Sequence, residues 1–462
     1  MKKIILHLAL GFLILAPTAS FAQTISGGGQ HSLALCSDNT ARAWGSNYYG
    51  QLGNGTSTDS NVPVQVSALS GITANAGGDA HSLALKNDGT VWAWGRNFNG
   101  ELGNGTNTDS NIPVQVSTLT DITAIAGGTS YSLALKNDGT VQSWGSNVVG
   151  QLGNGTNIDS NVPAQVSALS GITAIATGWA HCLGLKNDGT VWAWGRNFNG
   201  ALGNGTNTDS NVPVQVSALS GITAIAAGAD HSLALKNDGT VWAWGYNFDG
   251  ELGNGTNTQS NVPLQVSALS GAITVAGGTR HSLSLKNDGT VWAWGSNSVG
   301  QLGNGTNTDS NVPVQVSTLP GIIAIEGGNG YSLALKNDGT VWAWGWNFYG
   351  QLGIGNNTDS NVPVQVTALC QVITGWEEEN IISTINLFPN PATSELVVSS
   401  SEFGDIEGIE IYSSHGEKVF KSQISNLKSQ ISVDVSQLPP GIYFITVTDQ
   451  AGNKATKKVV KM

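Results

Sequence analysis

Short stretches of alternating hydrophobic and polar residues follow one another along most of the chain. In one representative stretch, the two-residue period typical of β-strands covers Pro63–Leu69, Ile72–Ala76, His81–Lys86 and Thr90–Trp94. Asn87-Asp88-Gly89 predicts a hairpin turn between the last two strands, because Asp-Gly tolerates positive φ. The pattern therefore predicts units of four short strands without intervening helices.

This unit recurs every 50 residues. The string Lys-Asn-Asp-Gly-Thr-Val-Trp-Ala-Trp-Gly occurs at 86–95, 186–195, 236–245, 286–295 and 336–345, and diverged copies stand at 36–45 and 136–145. Repeats of this length with four strands each favour blades around a channel. We therefore predict an all-β fold with a seven-bladed β-propeller over residues 23–370. We expect the strand Pro363–Leu369 to complete the first blade beside three N-terminal strands, which would close the ring.

The N-terminal segment has the pattern of a signal peptide. Lys2 and Lys3 precede an apolar stretch over Ile4–Leu15, and Ser20-Phe21-Ala22 offers a small-x-small cleavage site. We predict a signal peptide over residues 1–22, with Gln23 as the first mature residue. The alternative is an uncleaved anchor, although the apolar stretch is shorter than the roughly 18 residues typical of a membrane-spanning helix.

The repeat ends before the C-terminal segment. Residues 371–384, with the acidic run at 377–379, indicate a linker. Alternating strands then predict a small β-sandwich within residues 385–462; they are Glu395–Ser399, Gly408–Tyr412, Ile431–Val435 and Ile442–Thr448.

Both segments resemble known families. The repeat elements His81–Leu85, Asp88-Gly89, Trp92–Gly95, Asn97 and Gly100–Gly105 resemble the regulator of chromosome condensation repeat, and seven copies cover about residues 24–370. That resemblance implies a seven-bladed propeller. The first copy departs from the pattern at Ser37–Asn39 and at Ala41-Arg42, and the last departs at Ile354 and Asn356.

The C-terminal segment resembles the sorting domain of type IX secretion. The motifs are Asn386–Pro391, Ile411-Tyr412 with Gly416, and Gly441–Phe444, followed by a basic end at 457–461. The resemblance implies a sorting signal that includes Pro389, Asn390, Pro391, Gly441, Tyr443, Lys457, Lys458 and Lys461. It also implies passage through the secretion machinery to the cell surface or the medium; the alternative is a generic adhesive sandwich.

The charge of the chain bears on its partners. The net charge is −12, and only 11% of residues are charged. Nucleic-acid binding normally depends on clustered Lys and Arg, so we predict no nucleic-acid partner. We also expect a monomer without a cofactor.

Three cysteines remain in the predicted mature chain. In the ring closure described above, Cys36 and Cys370 fall at the same end of the first blade, and an exported protein can keep a disulfide there. Alternatively, the two residues lie two strands apart, beyond the Cα distance of about 7 Å that a disulfide can span. The sequence leaves both possibilities open. Cys182, at a Ser position on a strand, predicts a free buried thiol.

No catalytic motif accompanies the repeat. His31, His81, His181, His231 and His281 occupy equivalent positions, which are completed by Tyr131 and Tyr331. A metal-binding ring is one interpretation, but the two tyrosines favour a structural hydrogen-bonding role. The oxygen-rich loops typified by Asn104–Asp109 allow calcium as an alternative to a plain crossover. Trp92 and Trp94 are interpreted as packing between blades.

Two clusters vary between otherwise similar repeats. One lies at 79–80, 129–130, 179–180, 229–230, 279–280 and 329–330, and the other follows each Trp-Gly pair. Antiparallel alternation predicts both on one face, opposite the Asn-Asp-Gly and Ser-Gly turns. The predicted partner-binding residues are Tyr48, Tyr49, Asp79, Arg96, Phe98, Trp179, Arg196, Phe198, Asp230, Tyr246, Phe248, Asp249, Arg280, Trp346, Phe348 and Tyr349.

Aromatic residues and Arg are typical interface anchors. We therefore expect a secreted or surface-bound scaffold that binds a protein partner and is not an enzyme. A glycan-binding module is the alternative, and an enzyme with a site in the channel is less favoured. Neutral drift in tolerant loops would also produce such variation.

Overall fold

The computed structural model describes residues 22–370, 385–389, 392–400, 406–413, 418–423, 430–439, 441–449 and 454–461. The predicted linker and all of the predicted signal peptide except Ala22 lie outside these residues. The chain divides into two compact units, Met1–Gln371 and Val372–Met462. Every regular element in the described residues is a β-strand.

The first unit contains seven sheets, each made of four consecutive antiparallel strands. Blade 1 consists of β1 (Ala22–Gly27), β2 (His31–Cys36), β3 (Ala41–Gly45) and β4 (Ser60–Gln65). Blade 2 consists of β5 (Ile72–Gly77), β6 (His81–Lys86), β7 (Val91–Gly95) and β8 (Ser110–Gln115). Blade 3 consists of β9 (Ile122–Gly127), β10 (Tyr131–Lys136), β11 (Val141–Gly145) and β12 (Ser160–Gln165). Blade 4 consists of β13 (Ile172–Thr177), β14 (His181–Lys186), β15 (Val191–Gly195) and β16 (Ser210–Gln215).

The remaining blades repeat this order. Blade 5 consists of β17 (Ile222–Ala227), β18 (His231–Lys236), β19 (Val241–Gly245) and β20 (Ser260–Gln265). Blade 6 consists of β21 (Ala272–Gly277), β22 (His281–Lys286), β23 (Val291–Gly295) and β24 (Ser310–Gln315). Blade 7 consists of β25 (Ile322–Gly327), β26 (Tyr331–Lys336), β27 (Val341–Gly345) and β28 (Ser360–Gln365). The first strand of each blade contacts the first strand of the next, and β25 contacts β1, so the predicted seven-bladed propeller is confirmed.

The core lies between neighbouring blades. Trp94 of blade 2 is fully buried and packs against Leu33 and Leu52 of blade 1. Its indole Nε1 donates to the carbonyl of Gln51 at 2.9 Å, so the same side chain supplies apolar area and a hydrogen bond. Trp44 packs in the same way against blade 7. The interpretation of Trp94 as interblade packing is therefore confirmed.

The predicted grouping of strands into blades was wrong. The strand Ser60–Gln65 was expected to belong to the same blade as the strands that follow it. It pairs instead with Ala41–Gly45, the strand before it, through Gly45↔Ser60 and Arg42↔Gln65. The reason is the loop 46–59, which folds the chain back along β3 because the Asn47 side chain holds it by hydrogen bonds to Thr56 and Thr58 carbonyls at 3.1 and 3.0 Å.

The predicted ring closure is also wrong, because it depended on that grouping of strands. The strand β28 completes blade 7 by pairing with β27, and no strand is exchanged between the two ends of the propeller. The ends instead meet at the seam between blades 7 and 1. There Trp44 Nε1 donates to the Gln351 carbonyl at 2.9 Å, and a disulfide joins Cys36 to Cys370 with a Cα–Cα distance of 5.4 Å. Cys182 is a free, buried cysteine.

The second unit contains two sheets around one core. One sheet has the order β29 (Ile385–Phe388), β30 (Glu395–Ser400), β33 (Gln430–Asp434). The other has the order β32 (Lys418–Gln423), β31 (Ile406–Ser413), β34 (Gly441–Asp449), β35 (Lys454–Lys461). Leu396 and Val433 of the first sheet pack with Ile411 and Ile445 of the second, so the predicted small β-sandwich is confirmed with three further strands. The described residues include no helix that is long and apolar enough to span a membrane.

Candidate binding face

Two loops of each blade meet at the same end of the propeller. The first loop joins strands one and two, as at residues 28–30, and the second joins strands three and four, as at 46–59. In blade 2 the Arg96 amide donates to the Ala80 carbonyl at 2.9 Å, and the same bond links Ser46 to Gln30 at 2.8 Å. The structure therefore brings both variable clusters together, as predicted. We call the surface formed by these two loops of all seven blades the loop face.

Main-chain hydrogen bonds link the first loops around the channel on this face. Hydrogen bonds run from each first loop to that of the next blade, and the cycle ends where Asn329 donates to Gly29 at 3.2 Å. The mouth is a cavity of about 80 Å³ lined largely by glycine, and Asp79 is the single ionisable residue among its described lining residues.

Large apolar side chains recur on the second loops of the loop face at a spacing of 50 residues. Tyr48, Phe98, Phe198, Phe248 and Phe348 are 65–76% exposed. Val148, 67% exposed, occupies the same position in blade 3, and Ile158 lies on the next part of that loop; sequence reasoning missed both because it sought aromatic and charged residues. A hydrogen bond within the loop holds the backbone at this position, because the Asn107 side-chain amide donates to the Phe98 carbonyl at 3.0 Å.

The aromatic residues are densest beside the seam. Phe348 lies 4.9 Å from Tyr349 and 6.5 Å from Trp346 between ring centroids. Tyr48 and Tyr49 of blade 1 lie 4.8 Å apart, edge to face. Tyr48, Tyr49 and Tyr349 line one cavity of about 690 Å³ together with Asp79 and Arg96. This cavity beside the seam thus brings together predicted residues from blades 7, 1 and 2.

A second concavity involves blades 4, 6 and 7. Trp179 is 40% exposed, and it lines a cavity of about 350 Å³ with Arg280 and Trp346. The structure therefore brings Trp179 to residues that are distant in sequence.

Each predicted arginine of the loop face has an acidic partner. Arg96 Nε lies 3.8 Å from Glu101 Oε1, Arg196 Nη1 lies 3.7 Å from Asp230 Oδ1, and Arg280 Nη1 lies 3.6 Å from Asp249 Oδ2. Burial raises the pKa of Asp230, and Arg196 and Arg280 oppose that rise. Each of these arginines therefore presents its positive charge beside a carboxyl group.

The histidine series forms links between blades. His31 Nε2 lies 2.8 Å from Ser82 Oγ, and the Ser82 hydroxyl donates to the Gln51 carbonyl at 2.8 Å. The same histidine–serine contact recurs from His81, His181, His231 and His281, each at 2.9 Å. Tyr131 donates to the His181 carbonyl at 2.7 Å, and Tyr331 donates to the His31 carbonyl. The structural role of these residues is thus confirmed.

The oxygen-rich loops are satisfied internally. Asn104 Oδ1 accepts from the Thr106 amide at 3.1 Å and hydroxyl at 2.8 Å, and Asp109 Oδ1 accepts from the Asn97 amide at 2.7 Å. No group of three or more His, Cys, Asp or Glu side chains suited to a metal ion occurs in the described part of the chain.

The predicted sorting residues lie in the second unit. Pro389 follows β29 and is exposed, and Gly441 begins β34. Tyr443 is buried and its hydroxyl donates to the Pro439 carbonyl at 2.8 Å. Lys457, Lys458 and Lys461 belong to β35, where Lys461 is buried. Asn390 and Pro391 lie outside the described residues.

Family models match most of the chain. The model of the RCC1-like domain matches residues 122–384, and regulator of chromosome condensation (RCC1) repeat models match 23–51, 43–85, 72–101 and 88–135. The secretion system C-terminal sorting domain matches residues 386–462.

Several solved structures share the propeller. Human WBSCR16 is 26% identical with a TM-score of 0.62, over 68% of this chain and 87% of that one. Prp20p from Saccharomyces cerevisiae is 22% identical with a TM-score of 0.65, over 76% of this chain and 88% of that one. The crystal structure of Kap60 bound to yeast RCC1 (Prp20) gives 20% identity and a TM-score of 0.65, over 80% and 92%.

A curated protein matches a short stretch. An endo-acting ulvan lyase from Formosa agariphila is 33% identical over 85 residues, which is 18% of this chain and 16% of that protein.

Proposed function

Because the chain belongs to the RCC1-like domain family and ends in a secretion system C-terminal sorting domain, we propose that it is an exported scaffold that binds a protein partner through the loop face. The sorting domain supports type IX secretion to the medium or the cell surface. The proposal assigns no reaction and no cofactor to the chain.

The observation that carries this proposal is the ring of exposed apolar side chains on the second loops of the loop face. Folding does not require them, because blade 6 has Ser298 at the same position and keeps the same strands. Large exposed apolar residues on one face are typical of interaction sites, and aromatic residues are common anchors of protein interfaces. The neighbouring arginines, each of which lies beside a carboxyl group, add polar groups of the kind that surround such anchors.

Solved relatives support a protein partner. Prp20p is described with binding properties to Gsp1p and histones, and yeast RCC1 is described bound to Kap60. These relatives share the fold, so they favour a protein over a glycan without identifying the partner of this chain.

The test replaces the exposed ring with the residue that blade 6 already has. A variant with Phe98, Phe198, Phe248 and Phe348 all changed to Ser should keep its melting temperature, since these side chains are mostly exposed. We expect it to lose at least tenfold of the partner captured by the immobilised full chain, because one anchor is worth about 1–2 kcal/mol.

A matched control uses exposed apolar residues at the opposite end of the blades. Ile273 and Ile323 are 54% and 57% exposed, and most other blades have Thr at that position. Changing both to Thr should leave capture unchanged. Equal capture by both variants would contradict the proposal. If the chain binds polysaccharides on a glycan array but captures no protein, a glycan-binding function replaces it.

A further inference from the structure

Two positions of the second loop differ from blade to blade. The first residue of the loop and the residue five places later form the pairs Ser46–Gln51, Arg96–Glu101, Ser146–Gln151, Arg196–Ala201, Tyr246–Glu251, Ser296–Gln301 and Trp346–Gln351. The second member is buried beneath the loop face in every blade. It is neutral in five blades and a carboxylic acid in blades 2 and 5.

The two buried glutamates differ in their counter-charge. Glu101 has Arg96 on its own loop, with Nε 3.8 Å from Oε1. Blade 5 has Tyr246 in place of that arginine, and Arg280 of blade 6 lies 3.6 Å from Asp249 instead. Their hydrogen bonds are otherwise alike: Glu251 Oε2 accepts from the Asp249 amide at 3.0 Å, as Glu101 Oε2 accepts from the Asn99 amide at 2.8 Å. The Oε1 atom of each glutamate is buried without a hydrogen-bond partner among the described residues, so the counter-charge is what separates them. Glu251 is therefore a buried carboxyl that lacks the cation found in blade 2.

We propose that Glu251 is a proton-controlled element of the loop face, which sets the charge beneath Tyr246, Asp249 and Arg280. The inference rests on the proposed function, because it concerns regulation of the same face. Arg280 already acts on the carboxylates of Asp249 and Asp230. When Glu251 ionises, it adds a third negative charge, and Arg280 is then less available to an acidic group of a partner. Binding through this part of the face should weaken as Glu251 loses its proton.

The electrostatic surroundings agree with this assignment. The pKa of Glu251 is raised to about 7, chiefly by burial and also by the Asp249 carboxylate, while hydrogen bonds from the backbone amides of Glu251 and Asp249 and the charge of Arg280 oppose the rise. Among the described residues, Asp230 acts on Tyr246 and Asp309 acts on Asp249. Arg196 also lies in this area, 3.7 Å from Asp230. Since the pKa is raised in the folded state, the protonated form is stabilised by folding, and that stabilisation is lost as pH rises from about 4.5 through 7.

The first experiment measures the titration of Glu251 in the full chain labelled with ¹³C-glutamate. We expect a side-chain carboxyl signal with a midpoint near pH 7 that Glu251→Gln removes and Glu101→Gln retains. Tyr246→Arg should move the midpoint to lower pH, because it supplies the cation that Glu101 has. Burial also raises the pKa of Glu326 to about 7, and its carboxyl signal is recognised as the one that Glu326→Gln removes. If Glu251→Gln removes no signal that titrates near neutrality, the proposal is wrong.

The second experiment tests whether the proton reaches the face. In the chain labelled with fluorotyrosine, the ¹⁹F signal assigned with Tyr246→Phe should shift with the midpoint of Glu251 and stay constant in Glu251→Gln. A constant signal in the wild type would overturn the proposal.

The third experiment compares capture of the partner at pH 6 and pH 8. The wild type should retain severalfold more at pH 6, and Glu251→Gln should retain equal amounts at both. Equal capture by the wild type overturns the regulation. Capture at neither pH contradicts the proposed function instead, and the fluorotyrosine titration then decides the role of Glu251.

Discussion

Single hydroxyl groups connect the blades, as the Ser82 side chain illustrates. Its Oγ donates to the Gln51 carbonyl at 2.8 Å and lies 2.8 Å from His31 Nε2, so the imidazole is the donor in that contact. Changing Ser82 to Ala leaves a buried N–H without an acceptor, which costs about 2 kcal/mol of unfolding free energy. Urea denaturation should show this loss.

The control for that prediction is Ser57→Ala. Ser57 is exposed in the loop 46–59, so its change should alter the unfolding free energy by less than about 0.5 kcal/mol. Equal midpoints for the Ser82 and Ser57 variants would show that the hydrogen bond across the blade boundary does not stabilise the ring.

At the scale of strands and blades, the seam depends on a disulfide. Cys36 in β2 and Cys370 beyond β28 are 334 residues apart in sequence, and each is buried. Changing both to Ser removes the constraint on the unfolded chain, which the loop-entropy estimate places at about 5 kcal/mol. We expect the double variant to unfold at clearly lower urea concentration, whereas Cys182→Ser should change the midpoint much less. An unchanged midpoint for the double variant would mean that interblade packing alone closes the ring.

The same scale shows what the sequence could predict. The 50-residue period and the Asp-Gly turns determine the number of blades and most strands, because strand alternation and turn chemistry are local. The partner of Ser60–Gln65 could not be predicted in this way, since the strands on either side of it offer the same alternation. The side chain of Asn47 makes the difference by folding the loop 46–59 back on β3.

The sequence predicted where the loop face lies, but it did not predict all of the residues and contacts that form it. Variation between repeats marked Phe98 and its equivalents because the surrounding residues hardly change. It did not reveal that Arg96 is paired with Glu101, because a loop contact depends on side-chain reach rather than on strand periodicity. Val148 was missed for a different reason: its exposure follows from the loop geometry and not from its residue type.

The whole ring should be sensitive to acid because five imidazoles are buried in it. Burial lowers the pKa of His31, His181 and His281 to about 4 and that of His81 and His231 to about 3. Between pH 6.5 and these values the unfolded chain binds more protons than the folded one, so stability falls as pH falls. Each histidine contributes up to about 3–5 kcal/mol, which is present above pH 6.5 and lost through this range.

This sensitivity gives a measurement on the intact molecule. The urea midpoint should fall steeply from pH 7 to pH 5, and the slope of unfolding free energy against pH should reflect the additional protons taken up. His231→Gln keeps a neutral amide that can donate to Ser282, so it should reduce that slope by about one proton even though it also lowers stability at pH 7. A slope that is the same in this variant would assign the acid sensitivity to groups other than the histidine ring. A midpoint that does not change with pH would mean that the blades open enough to solvate these imidazoles without unfolding.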